Sequence, residues 1–186
     1  MAKGKGQYLG HSASYDGGEN EFYPTPPEAT QAIINHLFPD GYKREYEWEP
    51  DSFWEPCCGN GAMDRVMRAN GMPTRATDLI DRGYEHGKSG VDFLNPTHLP
   101  ERRGPYVFKT WVITNPPFSL AADFLRMVDR FADGHDIDRV CFLLKTDFMN
   151  AACRADLFKM KHFWHYGLLP FSFRPDFSGG GGNSQN

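Results

Sequence analysis

Two consecutive prolines, Pro116 and Pro117, cut the chain directly after an apolar run, Trp111-Val112-Ile113-Thr114. A run of that length reads as one buried strand. A strand inside a sheet cannot absorb two residues without N–H groups, so it must end there. Beyond the prolines, Ser119 to Ala132 reads as an amphipathic helix. Ala122, Phe124, Leu125, Val128 and Phe131 form its apolar face, with Arg126, Asp129 and Arg130 opposite. Strand, rigid tip and helix make one unit of an α/β architecture. The tip, Asn115-Pro116-Pro117-Phe118, offers carbonyls without the usual neighbouring donors, one side-chain amide and one aromatic face. That set suits a flat, amine-bearing ring. A strand that merely ends in a Pro-Pro turn would use the same four residues, and the rest of the chain must decide between the two.

Upstream, the same alternation recurs. Ser52-Phe53-Trp54 enters a strand that runs into Glu55-Pro56-Cys57-Cys58-Gly59-Asn60-Gly61, and a helix follows over Ala62–Ala69. Gly59 and Gly61 would let backbone approach a ligand closely. The loop has neither the P-loop pattern nor a full GxGxxG, and Glu55 beside it repels phosphate and attracts an ammonium group. Thr74 to Leu79 predicts a second strand with Asp78 at its end, the place where doubly wound folds hold ribose hydroxyls. Gly90 to Leu94 predicts a third strand with Asp92 at its tip and Phe93 beside it. Each acid alone is an ordinary solvated strand end; three at successive tips form a pattern. Arg139 to Lys145 predicts a fifth strand after 111–114, Asp147 to Met160 a helix, and His162 to Leu169 a sixth strand. Before all of these, Thr25 is a candidate cap for a helix opened by Pro26 and Pro27 and closed after Leu37-Phe38.

A chain of 186 residues holds one domain with a real core. Residues 1–21 read as a flexible arm, 22–177 as the domain, and 178–186 as a Gly-rich tail or a hairpin loop cut short before a returning strand. No apolar run is long enough for a membrane span and no signal peptide precedes the core, so a soluble cytoplasmic protein is expected. Net charge is −4, but it is uneven: residues 101–186 carry 11 Lys and Arg against 9 Asp and Glu, so any polyanion surface belongs to the later half. Cys57, Cys58, Cys141 and Cys153 lack zinc spacing, His162 and His165 make no convincing pair, and no metal site is expected.

Taken together, the helix start Phe22-x-x-Thr25-Pro26, the acidic Gly loop, the acid after strand two, Asp92-Phe93 and Asn-Pro-Pro-Phe resemble, in order, the S-adenosylmethionine-dependent DNA N6-adenine methyltransferases, most of all the small phage-type adenine methylases. The resemblance covers roughly residues 22–175. It implies a class I methyltransferase (Rossmann-like) fold, a mainly parallel seven-stranded sheet with one antiparallel strand, flanked by helices, here lacking its last strand if the chain is truncated. It places Phe22, Thr25 and Pro26 near the methionine carboxylate of S-adenosylmethionine and Glu55 facing its amino group, with Cys57, Gly59 and Gly61 beneath. It places Asp78 at the ribose, with Leu79 next to it as a further cofactor contact, Asp92 and Phe93 at the adenine, and Asn115, Pro116, Pro117 and Phe118 at the transferred methyl group. The implied reaction is methylation of adenine N6 in DNA after base flipping, in restriction–modification or phage settings.

The larger members of that family carry a target-recognition domain, and the 68 residues after Phe118 leave no room for one. Specificity is therefore expected to be short, relaxed or made by loops such as 80–90 and 146–155. Arg102, Arg103, Lys145, Arg154, Lys159 and Lys161 are candidate DNA phosphate contacts. Two other readings stay open. The same fold could methylate a glutamine side chain or an RNA adenine, since each presents a planar NH2. A non-catalytic nucleic-acid-binding module is the second.

Overall fold

The computed structural model describes residues 21–43, 53–95, 97, 110–132, 137–150, 152–162 and 167–177. These form an α/β fold: a five-stranded, all-parallel sheet flanked by helices. The strands are β1 (Phe53–Glu55), β2 (Thr74–Thr77), β3 (Gly87–Lys88), β4 (Thr110–Thr114) and β5 (Ile137–Phe142), and their order in the sheet is β3-β2-β1-β4-β5. The helices are α1 (Pro27–Leu37), α2 (Ala62–Ala69) and α3 (Ala121–Ala132).

β1 lies at the centre, with Phe53 opposite both Thr74 of β2 and Trp111 of β4. All three of its residues are buried. Side chains alternate across a strand, so Phe53 and Trp54 face opposite layers. Phe53 and Ile113 pack with Ile34 of α1 and with Met63 and Met67 of α2. Trp54 and Val112 pack with Phe124, Val128 and Phe131 of α3. A sheet covered on both faces needs apolar residues at successive positions, and Trp111-Val112-Ile113 supplies them. Burying each large side chain of this kind contributes roughly 2 kcal/mol, so the two layers hold the sheet more firmly than its short ladders could. Trp54 keeps its indole satisfied by donating from Nε1 to Thr77 Oγ1 at 2.9 Å.

Several elements depart from expectation. The third strand is Gly87–Lys88, not 90–94; Gly90 and Val91 only extend the contact with β2 by donating to the Leu79 and Asp78 carbonyls. Phe93 therefore belongs to a loop, and its ring is buried against Trp54 and stacked on Phe124 at 4.6 Å. The expected helix from Asp147 to Met160 is two 3-10 segments, Thr146–Asn150 and Ala152–Lys159. Their apolar residues Phe148 and Leu157 pack on Ala121 but lack the continuous stripe that an α-helix would bury. Of the expected sixth strand, residues 163–166 lie outside the described residues, and 167–169 are irregular. β5 begins two residues earlier than expected and ends at Phe142. Thr25 does not cap α1: the N-cap is Pro26, with no side-chain bond, and Pro27 opens the helix.

Gly61 is the N-cap of α2 with φ +82°, and a Cβ there would lie 2.4 Å from the Tyr84 ring. That ring cannot retreat easily, because it is buried and its hydroxyl donates to Asp64. Gly71, after α2, has φ +74° and open space around it. Gly61→Ala should lower unfolding free energy by at least about 2 kcal/mol, through left-handed strain plus the clash, and Gly71→Ala by about 1 kcal/mol, through strain alone. Urea denaturation of the two variants measures the difference.

Candidate functional site

Parallel strands send their carboxyl ends to one edge of the sheet, and neighbouring loops diverge where the chain order reverses. Here that reversal falls between β1 and β4, and a cavity of about 280 Å³ opens beside it. Glu55, Pro56 and Cys57 line it from the end of β1, Asp78 and Leu79 from the end of β2, and Asn115, Pro116 and Pro117 from the end of β4. Asp92 and Phe93 reach it from the loop after β3, and Phe22 and Thr25 from the segment before α1. The sequence candidates thus converge from five separate stretches of chain. Pro26, Gly59, Gly61 and Phe118 do not line the cavity.

The two glycines explain themselves by packing. A Cβ on Gly59 would lie 2.2 Å from Phe22 Cε2, and one on Gly61 would meet Tyr84. The close approach expected of a ligand is made by the protein's own rings. Asp78 holds this loop: its Oδ2 accepts from the Gly59 N–H at 2.7 Å and its Oδ1 from Ile80 N–H at 2.8 Å. Each oxygen retains a second lone pair for a hydroxyl donor. Asp92 is folded on its own turn, with Oδ1 accepting from Leu94 N–H at 2.9 Å.

Glu55 is 2% exposed, and among the described residues its Oε2 has no partner. Burial first, and then the carboxylates of Asp64 and Asp78, push its carboxyl well above the ordinary 4.5; a hydrogen bond from the Asp64 backbone opposes them. Among the described residues, the cavity lining holds Glu21, Glu55, Asp78 and Asp92 against one guanidinium, Arg82. Such a lining favours a cationic occupant and disfavours a phosphate-bearing one. Burial also raises the thiols, Cys57 well above 9.0, Cys58 to about 12 and Cys141 to about 11, so none is an activated nucleophile. Among the described residues no group of three His, Cys, Asp or Glu side chains could hold a metal ion.

Asn115 is oriented by a segment some ninety residues earlier. Its Nδ2 donates to the Tyr23 carbonyl and to Thr25 Oγ1, both at 3.1 Å. A carbonyl can only accept, so the amide nitrogen must face it. Oδ1 is left buried and, among the described residues, without a donor. Glu21 continues the same strap, accepting from both the backbone N–H and the hydroxyl of Ser119. The arm expected over 1–21 therefore ends with a bound residue; 1–20 lie outside the described residues. Phe118 sits beyond the cavity, stacked on Tyr23 at 5.6 Å with Lys145 Nζ 4.8 Å over its ring.

Sequence reasoning missed Tyr23, Arg82 and Tyr84. Arg82 covers the Phe22 ring at 4.2 Å, and Tyr84 closes the Gly loop. A lone aromatic inside the polar stretch 81–90 was the available signal for Tyr84. Of the candidate phosphate contacts, Lys145, Lys159 and Lys161 are exposed. Arg154 turns inward, donating to the Phe148 carbonyl and lying 4.3 Å over its ring. Arg102 and Arg103 lie outside the described residues. No helix among the described residues is long and apolar enough to cross a membrane. No protein-family model matches the chain, and no curated protein matches it.

A carboxyl that is harder to ionise in the fold than in the unfolded chain binds more protons when folded. Stability from Glu55 is therefore fully present below the unfolded value near 4.5 and is lost as pH rises through the higher folded value. Glu55→Gln should remove that loss: the variant should gain stability over wild type progressively above pH 4.5. Urea unfolding of both proteins across the pH range, without ligand, reads the difference.

Proposed function

We propose that this protein transfers a methyl group from S-adenosylmethionine to the exocyclic N6 amine of adenine in DNA. On this reading the five parallel strands are the core of a class I methyltransferase (Rossmann-like) sheet, which in full has seven strands, one of them antiparallel. The observation that carries the proposal is Asn115: a half-buried residue at the carboxyl end of β4 that lines the cavity, its amide nitrogen held by two acceptors and its buried oxygen unpartnered among the described residues.

The residues fit the cofactor. A buried Glu55 carboxyl with an unpartnered oxygen is costly alone and suits an ammonium group. The excess of carboxylates over cations suits a ligand of net positive charge better than a nicotinamide dinucleotide, whose pyrophosphate they would repel. Glu55 would hold the amino group, Thr25 with Phe22 the carboxylate end, and Asp78 the ribose hydroxyls. Asp92, with Leu79 and the cavity edge of Phe93, would hold the adenine. The cofactor supplies an electrophilic methyl group on a sulfonium.

The chain's own residues then act on the acceptor. Adenine N6 is a poor nucleophile because its lone pair is delocalised into the ring. Asn115 Oδ1 and the Pro116 carbonyl accept hydrogen bonds from its two protons, which favours a pyramidal nitrogen with the lone pair released. The same fixed dipoles stabilise the positive charge that develops on nitrogen. Pro117 has no N–H, so no donor competes for the acceptor at that turn. The surplus proton leaves to water, and no basic side chain or covalent adduct is required. In a duplex the adenine is paired through N6 and stacked on both faces, so the base must be extruded, and the Tyr23 ring, which lines the cavity and is backed by Phe118, offers a stacking surface. Exposed Lys145, Lys159 and Lys161, on the segment after β5, support a nucleic-acid acceptor over a glutamine side chain.

Asn115→Ala should lower the rate of methyl transfer to DNA by about 10²- to 10³-fold while leaving S-adenosylmethionine affinity within about twofold. Incorporation of labelled methyl groups into adenine-containing DNA, RNA and glutamine peptides, with calorimetry for the cofactor, tests both statements. Wild-type turnover in the variant, or labelling of peptide alone, would defeat the reading.

A further inference from the structure

We infer that Thr25 is a positioning residue for the acceptor amine, acting through Asn115; the inference rests on the methyl-transfer reading and gives Thr25 a role besides cofactor contact. A primary amide can rotate by half a turn and exchange its oxygen for its nitrogen. Only one of the two orientations can receive the protons of an acceptor NH2. The other presents a donor to a donor. What selects between them here is the pair of acceptors behind the amide, Thr25 Oγ1 and the Tyr23 carbonyl, each 3.1 Å from Nδ2. Thr25 is 4% exposed, so water does not replace its hydroxyl readily. The hydroxyl does not cap α1 either, although it stands at the helix entrance. Its described bond is to Asn115.

The backbone carbonyl of Tyr23 binds one amide proton, and Thr25 binds the other. With both satisfied the amide is locked, and Oδ1 stays turned from those acceptors, buried and without a donor among the described residues. Thr25 also retains its own O–H proton, because it serves Asn115 as an acceptor. A carboxylate bound beside it would accept a hydrogen bond from that O–H and leave an oxygen lone pair directed to Asn115. Occupation of the donor pocket would thereby strengthen the orientation of the acceptor clamp.

Thr25→Val keeps the branched shape and removes the acceptor, whereas Thr25→Ser keeps the acceptor. Thr25→Val should lower kcat, measured at saturating S-adenosylmethionine, by about tenfold or more in addition to any loss of cofactor affinity from the missing carboxylate contact, and Thr25→Ser should recover most of the rate. A carboxylate-binding role alone would weaken cofactor affinity with kcat at saturation intact, and would overturn the inference. Nuclear magnetic resonance of the ligand-free protein gives a readout independent of turnover. The Asn115 side-chain amide pair, assigned by its disappearance in Asn115→Ala, should exchange with solvent at least about fivefold faster in Thr25→Val and not in Thr25→Ser; equal exchange in wild type and both Thr25 variants would also overturn it. If wild type methylates no DNA, the methyl-transfer reading fails, and the amide exchange still decides whether Thr25 holds Asn115.

Discussion

Three residues, Phe53, Trp54 and Glu55, set most of what this molecule can be. They pair in parallel with β2 on one side and β4 on the other, and both faces of the strand are covered by helices. A strand in that position must be apolar where it is packed, and Phe53 and Trp54 are. It ends on a carboxyl that is equally buried, which no packing argument requires. The central strand therefore does two tasks within three residues. Its first two join the layers above and below the sheet. Its third delivers a carboxyl group to the point where the chain order reverses and the loops part.

That delivery is costly. An unsatisfied buried polar atom costs about 1–3 kcal/mol, and the cavity wall carries Glu55 Oε2 and Asn115 Oδ1 in that condition among the described residues. They differ in what would satisfy them. The carboxyl calls for a cationic donor, the amide oxygen for a neutral or weakly charged N–H. The two demands differ in charge, so one donor group does not answer both. The sheet can bear the cost because the adjacent packing is dense: Trp54, Phe93 and Phe124 form a continuous aromatic contact next to the site. Phe93 thus belongs first to the core and only by its edge to the cavity.

What was legible in the sequence follows from how local each signal is. α2 was readable to its ends, because a glycine before it, a glycine after it and apolar Met63 and Met67 all lie within one short window. β4 was readable because apolar residues precede a double proline. β3 was not: Gly87 and Lys88 carry no apolar pattern, and the strand exists only because β2 offers its free edge, so the expectation fell on the more apolar Val91 and Phe93. The segment 146–159 misled in the opposite way, having helical composition without the continuous face that would stabilise an α-helix. The cavity residues were legible as strand-end chemistry. Their partners were not, since Thr25 and Tyr23 meet Asn115 across about ninety positions and nothing local in either stretch announces the other.

The glycine loop shows how the same letters can serve a different end. In a dinucleotide fold, glycines at such a turn clear room for pyrophosphate to rest on helix N–H groups. Here the room above Gly59 is filled by Phe22 and that above Gly61 by Tyr84. Phe22 is itself covered by Arg82, and Tyr84 is bound to Asp64, which also accepts from Arg68 at 2.5 Å. The Arg82 guanidinium at the cavity thus lies over an aromatic ring, and the loop below presents carboxylates. A phosphate would meet neither open backbone nor an unopposed cation. The Phe22 ring also ties the segment before α1 to the loop after β1, while Glu21 and Thr25 tie it to the tip of β4. Residues 21–25 consequently touch both halves of the cavity, and any ligand that moves this strap must register at Asn115.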